Sequence, residues 1–321
     1  MSDAETAPKP GHVLISSMKD EGPFILEWVA HHLVLGFDKI IVASNDCRDG
    51  TDRLLAAMDA AGYISHVPNK LKPGEIPQHA GYEKIRRQHR IDDANWLMML
   101  DADEFLNVHI GGHRVADLTA RAESDVDVIA LNGMFFTSQP ELNWKPGRVC
   151  PLFQKRIAIR HKANAALKTL TRAPARFRGI HNHHMVGFKG TDPLNVLWAD
   201  GTRSQTKPDV PLWRQLRNGD IQAVSHRLAQ YNHYGLKTWD SFRLRQDRGR
   251  GAVPETNAET ARHTDDYYTE RNIAAGDDSS VARYDAQVQA MMADMLEDKK
   301  IKRRQRISEE LYADLVAPYR R

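Results

Sequence analysis

Residues 96–105 read Trp-Leu-Met-Met-Leu-Asp-Ala-Asp-Glu-Phe. Five apolar residues give way at once to two aspartates and a glutamate. A short apolar run bounded by polar residues is the pattern of a strand covered on both faces, here 96–100. In a continuing strand Asp101 and Asp103 would share one face; a turn at the strand end can converge the two carboxylates. Paired carboxylates on the rim of a cleft suit a hard divalent cation, Mn²⁺ or Mg²⁺, that shares its shell with phosphate oxygens. The competing reading is two solvated acids in the first turn of a helix, where the macrodipole favours them.

Working outward, the first hundred residues alternate. Strands are expected at 12–16, 39–43 and 63–67, and helices at 23–35, 51–61 and 78–95, with Gly36 and Gly62 as natural stops. Strands alternating with helices imply an α/β fold, a mostly parallel sheet with helices on both faces. Ligands of such sheets bind beyond the carboxyl ends of the strands. Three polar clusters fall there: Ser17 to Glu21, Ser44 to Thr51, and Asp101 to Glu104.

Further on, 126–131 reads as a strand and Phe135–Phe136 extends that layer. Residues 140–180 mix basic and aromatic side chains, and 181–184 read His-Asn-His-His. The stretch 192–211 has no periodicity and is expected to be a flexible loop that covers bound ligand. Helices are expected at 226–248 and 284–295. These patterns divide the chain into a core, 1–200, and a helical region, 201–321, that completes the site.

The 321 residues include 41% hydrophobic and 27% charged residues, with a formal net charge of +3. This is an ordinary globular composition and not that of a dedicated nucleic-acid binder. Two cysteines, Cys47 and Cys150, exclude a disulfide scaffold. No apolar run reaches the ~18 residues of a membrane span, and the polar first ten residues lack a signal-peptide pattern, so a cytoplasmic location is expected. The basic run 299–306 is expected to be a solvated helix face flanked by acids, with peripheral membrane contact as the alternative.

Residues 96–105 resemble the segment that carries the DxD motif of GT-A glycosyltransferases, in particular a bacterial family-2-like branch of the form D-x-D-E-F. Three further segments are similar to that branch and follow in the same order. They are Asp20–Glu21 with Trp28, His31–His32 and Gly36; Ser44–Asn45–Asp46–Cys47–Arg48–Asp49–Gly50–Thr51; and His233–Tyr234 with Lys237, Trp239 and Phe242. Together they cover about residues 13–250. The chain departs from the pattern at Ser44 and Asn45, where two acids are usual, and at Cys47, where serine is usual.

The resemblance implies a GT-A core that transfers a sugar from a nucleotide diphosphate sugar, with UDP as the first choice, to an acceptor hydroxyl by inversion. The acceptor would be a glycan, a lipid-linked molecule or a small molecule. It places Asp101 and Asp103 on the metal, with His181, His183 and His184 as candidates to complete its shell. It places Asn45 at the base, in a pocket shared with Lys19 and Glu21. Arg86 and Lys237 are expected to grip the diphosphate, Lys237 as a catalytic residue, and His233 to line the same cleft. For the general base Asp240 is the first choice, with Asp192 and Asp200 in the same acceptor-side region; Glu104, adjacent to the metal pair, is read as capping the next turn. Two other classes remain open: nucleotidyl transfer, which normally brings a glycine-rich phosphate loop that Gly11 and Gly22 do not form, and a binding protein without turnover on a transferase fold.

Overall fold

A computed structural model describes residues 11–140, 142–254 and 260–321. The polar N-terminus, 1–10, lies outside the described residues. Four strands are where the apolar runs place them: β1 (His12–Met18), β2 (Lys39–Ser44), β3 (Ser65–Pro68) and β4 (Trp96–Met99). They are followed by β5 (Glu104–Val108), β6 (Val128–Phe135), β7 (Lys155–Arg156), β8 (Leu167–Arg172), β9 (Phe177–Ile180), β10 (Met185–Phe188), β11 (Asn195–Trp198), β12 (Arg203–Gln205), β13 (Ala229–His233) and β14 (Gly276–Asp277).

The central sheet runs β12-β11-β6-β8-β4-β1-β2-β3. The pairs β4-β1, β1-β2 and β2-β3 are parallel, as are β11-β6 and β13-β6. Strand β8 enters antiparallel between β4 and β6. The result is a mixed α/β protein with a central, mostly parallel sheet.

Successive side chains of a strand face opposite layers, and here both layers are dry. Leu14, Ile40, Val42 and Met98 join one core with helices Gly22–Val34, Thr51–Ala60, Asp285–Met295 and Lys299–Val316. Val13, Ile15, Ile41, Leu97 and Met99 join the other, under helix Pro77–His89. Burial on both faces is why β1, β2 and β4 read as unbroken apolar runs.

Helix Lys299–Val316 buries Ile301, Gln305, Ser308, Tyr312 and Val316, one stripe at helical spacing. A Cβ on Gly22 would lie 1.7 Å from Ser308 Oγ, so only glycine lets the first helix start against this last one. Five of the six basic residues of 299–306 are exposed or nearly so, and Arg306 pairs with Glu310 at 3.4 Å, as expected of a solvated face. Among the described residues no helix is long and apolar enough to cross a membrane.

Three expectations are corrected. Residues 226–248 are not one helix: they form β13, a turn, and helix Trp239–Arg248. Residues 192–211 are not a loop over the site, because β11 and β12 form a hairpin at the far edge of the sheet. A division at residue 200 would cut that hairpin, and β13 from the second half pairs with β5 and β6 in the core.

Candidate functional site

The carboxyl ends of β1, β2 and β4 open into a cleft of about 380 Å³. Lys19 and Glu21 line it from the loop after β1, Asn45 and Asp46 from the loop after β2, and Asp101 and Asp103 from the loop after β4. The three polar clusters therefore meet. Two of these loops are pinned in left-handed backbone by aspartates, Asp20 at φ +50° and Asp46 at φ +47°. Aspartate tolerates that region because its short polar side chain bonds locally. Asp20 accepts from Arg48 through the backbone N at 2.6 Å and through Nε at 2.9 Å, so the first two loops are tied together.

The two aspartates differ. Asp101 Oδ1 accepts from Gln78 at 2.7 Å and Oδ2 faces the Lys168 ammonium at 3.3 Å, yet the side chain stays 30% exposed. Asp103 is buried. Arg245 donates to its Oδ2, and His233 Nε2 stands 3.5 Å from the same oxygen. Burial alone would raise the Asp103 pKa, but Arg245 and His233 outweigh it and hold the carboxyl well below its usual range.

Behind Asp101, Glu104 accepts from the Asp101 backbone N at 2.9 Å and from Lys168 at 2.7 Å. Lys168 is fully buried on β8 and also donates to the Asn182 carbonyl at 2.8 Å. At the other wall Glu21 accepts from Arg248 at 2.5 Å and from Lys237 at 3.1 Å. Burial raises the Glu21 pKa and these two cations lower it, with the net shift downward.

Arg245 and Arg248 sit at i,i+3 on helix Trp239–Arg248, which starts at Thr238, whose hydroxyl accepts from Ser241 N. Residues of the segment that follows line the cleft, Gly249 to Ala252, Pro254, Arg262 and His263, and Gln78 N donates to the Gly251 carbonyl at 2.9 Å. Residues after 248, and not 192–211, thus line the cleft; residues 255–259 lie outside the described residues.

Other expected site residues lie elsewhere. Asp240 is fully buried and spends its carboxylate on the Trp144 N at 2.9 Å, the Thr238 hydroxyl at 2.5 Å and the Ser241 N at 2.8 Å; it anchors a loop and cannot reach a substrate. Asp192 is exposed and does not line the cleft. Arg86 bonds Asp92 and the Phe177 carbonyl, tying helix Pro77–His89 to β9. Lys237 reaches the site only through Glu21, with its ammonium 4.4 Å from the Phe24 ring centroid. Cys47 is partly exposed, and its Sγ bonds the Asn45 carbonyl at 3.4 Å.

The histidines fall in the turn between β9 and β10. His183 Nδ1 bonds the Leu167 carbonyl at 2.8 Å, and His184 is fully buried with both ring nitrogens unpartnered. Burial first, then His79 and Arg217, lower His181 to about 4, so its imidazole is neutral at pH 7. Among the described residues no three His, Cys, Asp or Glu side chains gather to hold a metal alone, so these histidines do not form a shell with Asp101 and Asp103. The site fits a divalent cation in a different mode. Such ions are commonly held by one or two carboxylates plus substrate phosphates. Asp101 offers an open carboxylate, and the contacts from Arg245 and His233 to Asp103 both fall on Oδ2.

Arg245, Arg248, Arg262 and His263 carried no recognisable motif. The available signal was four arginines at 243, 245, 248 and 250 directly after the His233–Tyr234–Lys237 segment.

No family model matches the chain. Sequence comparison finds glycosyltransferase family 92 proteins. One from Arabidopsis thaliana is 19% identical over 242 residues, 70% of this chain and 35% of that protein. One from Ricinus communis is 21% identical over 227 residues, with the same two shares. One from Oryza sativa subsp. japonica is 28% identical over 90 residues, 28% of this chain and 15% of that protein. The chain thus spans about a third or less of the length of these relatives. Among solved structures, S. aureus TarS aligns with a TM-score of 0.33 and 12% identity, over 51% of this chain and 28% of that one. TarS 1–349 in complex with UDP gives 0.33 and 11%, over 51% and 47%. Over 70% of its length, this chain is therefore similar in sequence to proteins named glycosyltransferases.

Proposed function

We propose that this chain is a metal-dependent glycosyltransferase that moves a sugar from a nucleotide diphosphate sugar, UDP-linked as first choice, to an acceptor hydroxyl with inversion. The observation that carries this reading is the convergence of Asp101 and Asp103 with Glu21, Asn45, Arg245 and Arg248 around one cleft at the strand ends. The names of the sequence relatives point the same way.

In this reading Asn45 reads the base, since an amide both donates and accepts. Arg262 and Lys19 face the phosphates, and Asp101, with Asp103 beside it, holds the cation. When bound, the divalent cation acts as a Lewis acid that neutralises charge developing on the diphosphate. Gln78 and Lys168 fix the carboxylate of Asp101, and Glu104 holds its backbone N, so that little reorganisation is needed as the charge forms. The segment after Arg248 keeps water away from the reacting carbon. With Asp240 and Asp192 set aside, we assign the base of the inverting step to Asp247, a cleft carboxylate whose described partner is the Tyr319 hydroxyl and no arginine or lysine.

A panel of nucleotide sugars with Mn²⁺ tests this. Release of nucleoside diphosphate from at least one donor, lost in Asp101→Asn, is expected. No release from any donor, with and without a panel of sugar acceptors, would contradict it.

A further inference from the structure

Lys168 is a fully buried lysine directly behind the open carboxylate of the cleft. Its ammonium contacts three oxygens: Asp101 Oδ2 at 3.3 Å, Glu104 Oε2 at 2.7 Å and the Asn182 carbonyl at 2.8 Å. All three donors of the ammonium are therefore used. Glu104 in turn holds the Asp101 backbone N. The contact to Asp101 falls on the side chain that would have to bind a cation.

The same compensation holds at the neighbouring carboxylates of Asp103 and Glu21. Asp103 meets Arg245, and Glu21 meets Arg248 and Lys237. Four carboxylates thus face four permanent cations at contact distance. An acidic site built to hold a divalent ion alone would carry surplus negative charge, because that charge must offset the cost of stripping water from the ion. At Asp101 a lone cation would meet these matched pairs and the opposing charge of Lys168. A nucleoside diphosphate changes the balance, since it brings its own negative charge and its own oxygen ligands.

We infer that Lys168 is a positioning residue that aims Asp101 into the cleft while cancelling its charge, so that the site takes up the divalent cation only together with a nucleoside diphosphate. This rests on the function proposed above. Cation and nucleotide then bind with positive coupling, and by linkage each tightens the other by the same factor. The arrangement also keeps an unliganded cleft from filling with a stray divalent ion.

The test measures Mn²⁺ binding to the full chain by the electron paramagnetic resonance signal of free Mn²⁺. It is run without nucleotide and with saturating UDP, GDP, CDP or ADP. For the wild type, the expected result is at least about tenfold tighter Mn²⁺ binding with one of these diphosphates than without. Lys168→Met is expected to bind Mn²⁺ alone several-fold tighter than the wild type and to lose most of the coupling. Lys168→Arg, which keeps the charge, retains the coupling. A purely structural role for Lys168 would not tighten Mn²⁺ binding in any variant. The wild-type measurement stands even if Lys168→Met fails to fold. Equal Mn²⁺ affinity with and without a diphosphate that itself binds overturns this inference and leaves the proposed function intact. Failure of every diphosphate to bind, in calorimetry with and without Mn²⁺, overturns both.

Discussion

The Arg245 guanidinium bonds Asp103 Oδ2 across 142 residues of chain. That pair joins the acidic rim of β4 to helix Trp239–Arg248, and the same helix sends Arg248 to Glu21 on the loop after β1. The second half of the chain therefore closes a cleft whose floor the first half builds.

Arg245→Met should leave Asp103 as a buried carboxylate without its main partner. Breaking one side of a buried pair typically costs about 3–5 kcal/mol. A clear drop in the midpoint of thermal unfolding is expected, together with weaker nucleotide binding; Arg245→Lys should recover part of both. An unchanged midpoint in Arg245→Met would show that the pair does not hold the halves together.

Asp101→Asn keeps the shape of the side chain and its bond from Gln78. Glycosyl transfer should fall by about 100-fold or more, the scale of losing a preorganised charge at the reacting centre. The unfolding midpoint should stay within a few degrees of the wild type. Transfer at the wild-type rate would remove Asp101 from the mechanism.

Asp240→Ala separates an anchor from a base. Asp240 ties the Trp144 backbone to the start of helix Trp239–Arg248, so its loss should destabilise the protein by about 2 kcal/mol. The rate per folded molecule should persist in a titrated preparation. A stable variant that binds donor and does not turn over would return Asp240 to the catalytic role.

Glu27 is buried at the amino end of helix Val149–Leu152, where it accepts from the Val149 N at 2.5 Å and the Cys150 N at 3.1 Å. Burial pushes its pKa up from 4.5 to about 7, against these bonds. A raised carboxyl pKa means that the folded state holds the proton where the unfolded state has lost it. Stability from this group is then full below pH 4.5, falls as pH rises, and is lost above about 7. Comparing unfolding midpoints between pH 5 and 8, Glu27→Gln should decline less than the wild type over this window. Identical slopes would contradict the assignment.

Much of the first hundred residues was legible because β1, β2 and β4 are dry on both faces and leave continuous apolar runs. The sequence predicts helix where β13 lies because Gln230 and Asn232 make the strand look polar. Both are buried, Gln230 bonded to Asp278 at 2.8 Å and Asn232 to the Tyr234 hydroxyl at 3.1 Å, and a satisfied buried amide carries no apolar signature in sequence. Strand β5 leaves no signal in the sequence because it begins on Glu104, whose charge is matched by a lysine 64 positions later. Asp101, Asp103, Glu21 and Asn45 could be placed because each follows a legible strand. Arg245 and Arg248 could not, since their role depends on how a distant helix docks. The same holds for Asp240: nothing local distinguishes a capping carboxylate from a catalytic one.

The central claim is that the cleft between Asn45 and Asp101 is the nucleotide site. A crystal structure with bound nucleoside diphosphate and Mn²⁺ tests it most directly. The account predicts the base against Asn45, at the ~3 Å of a direct hydrogen bond, with the diphosphate beside Asp101. A nucleotide bound elsewhere, or a base more than about 10 Å from Asn45, too far for any direct contact, would contradict it.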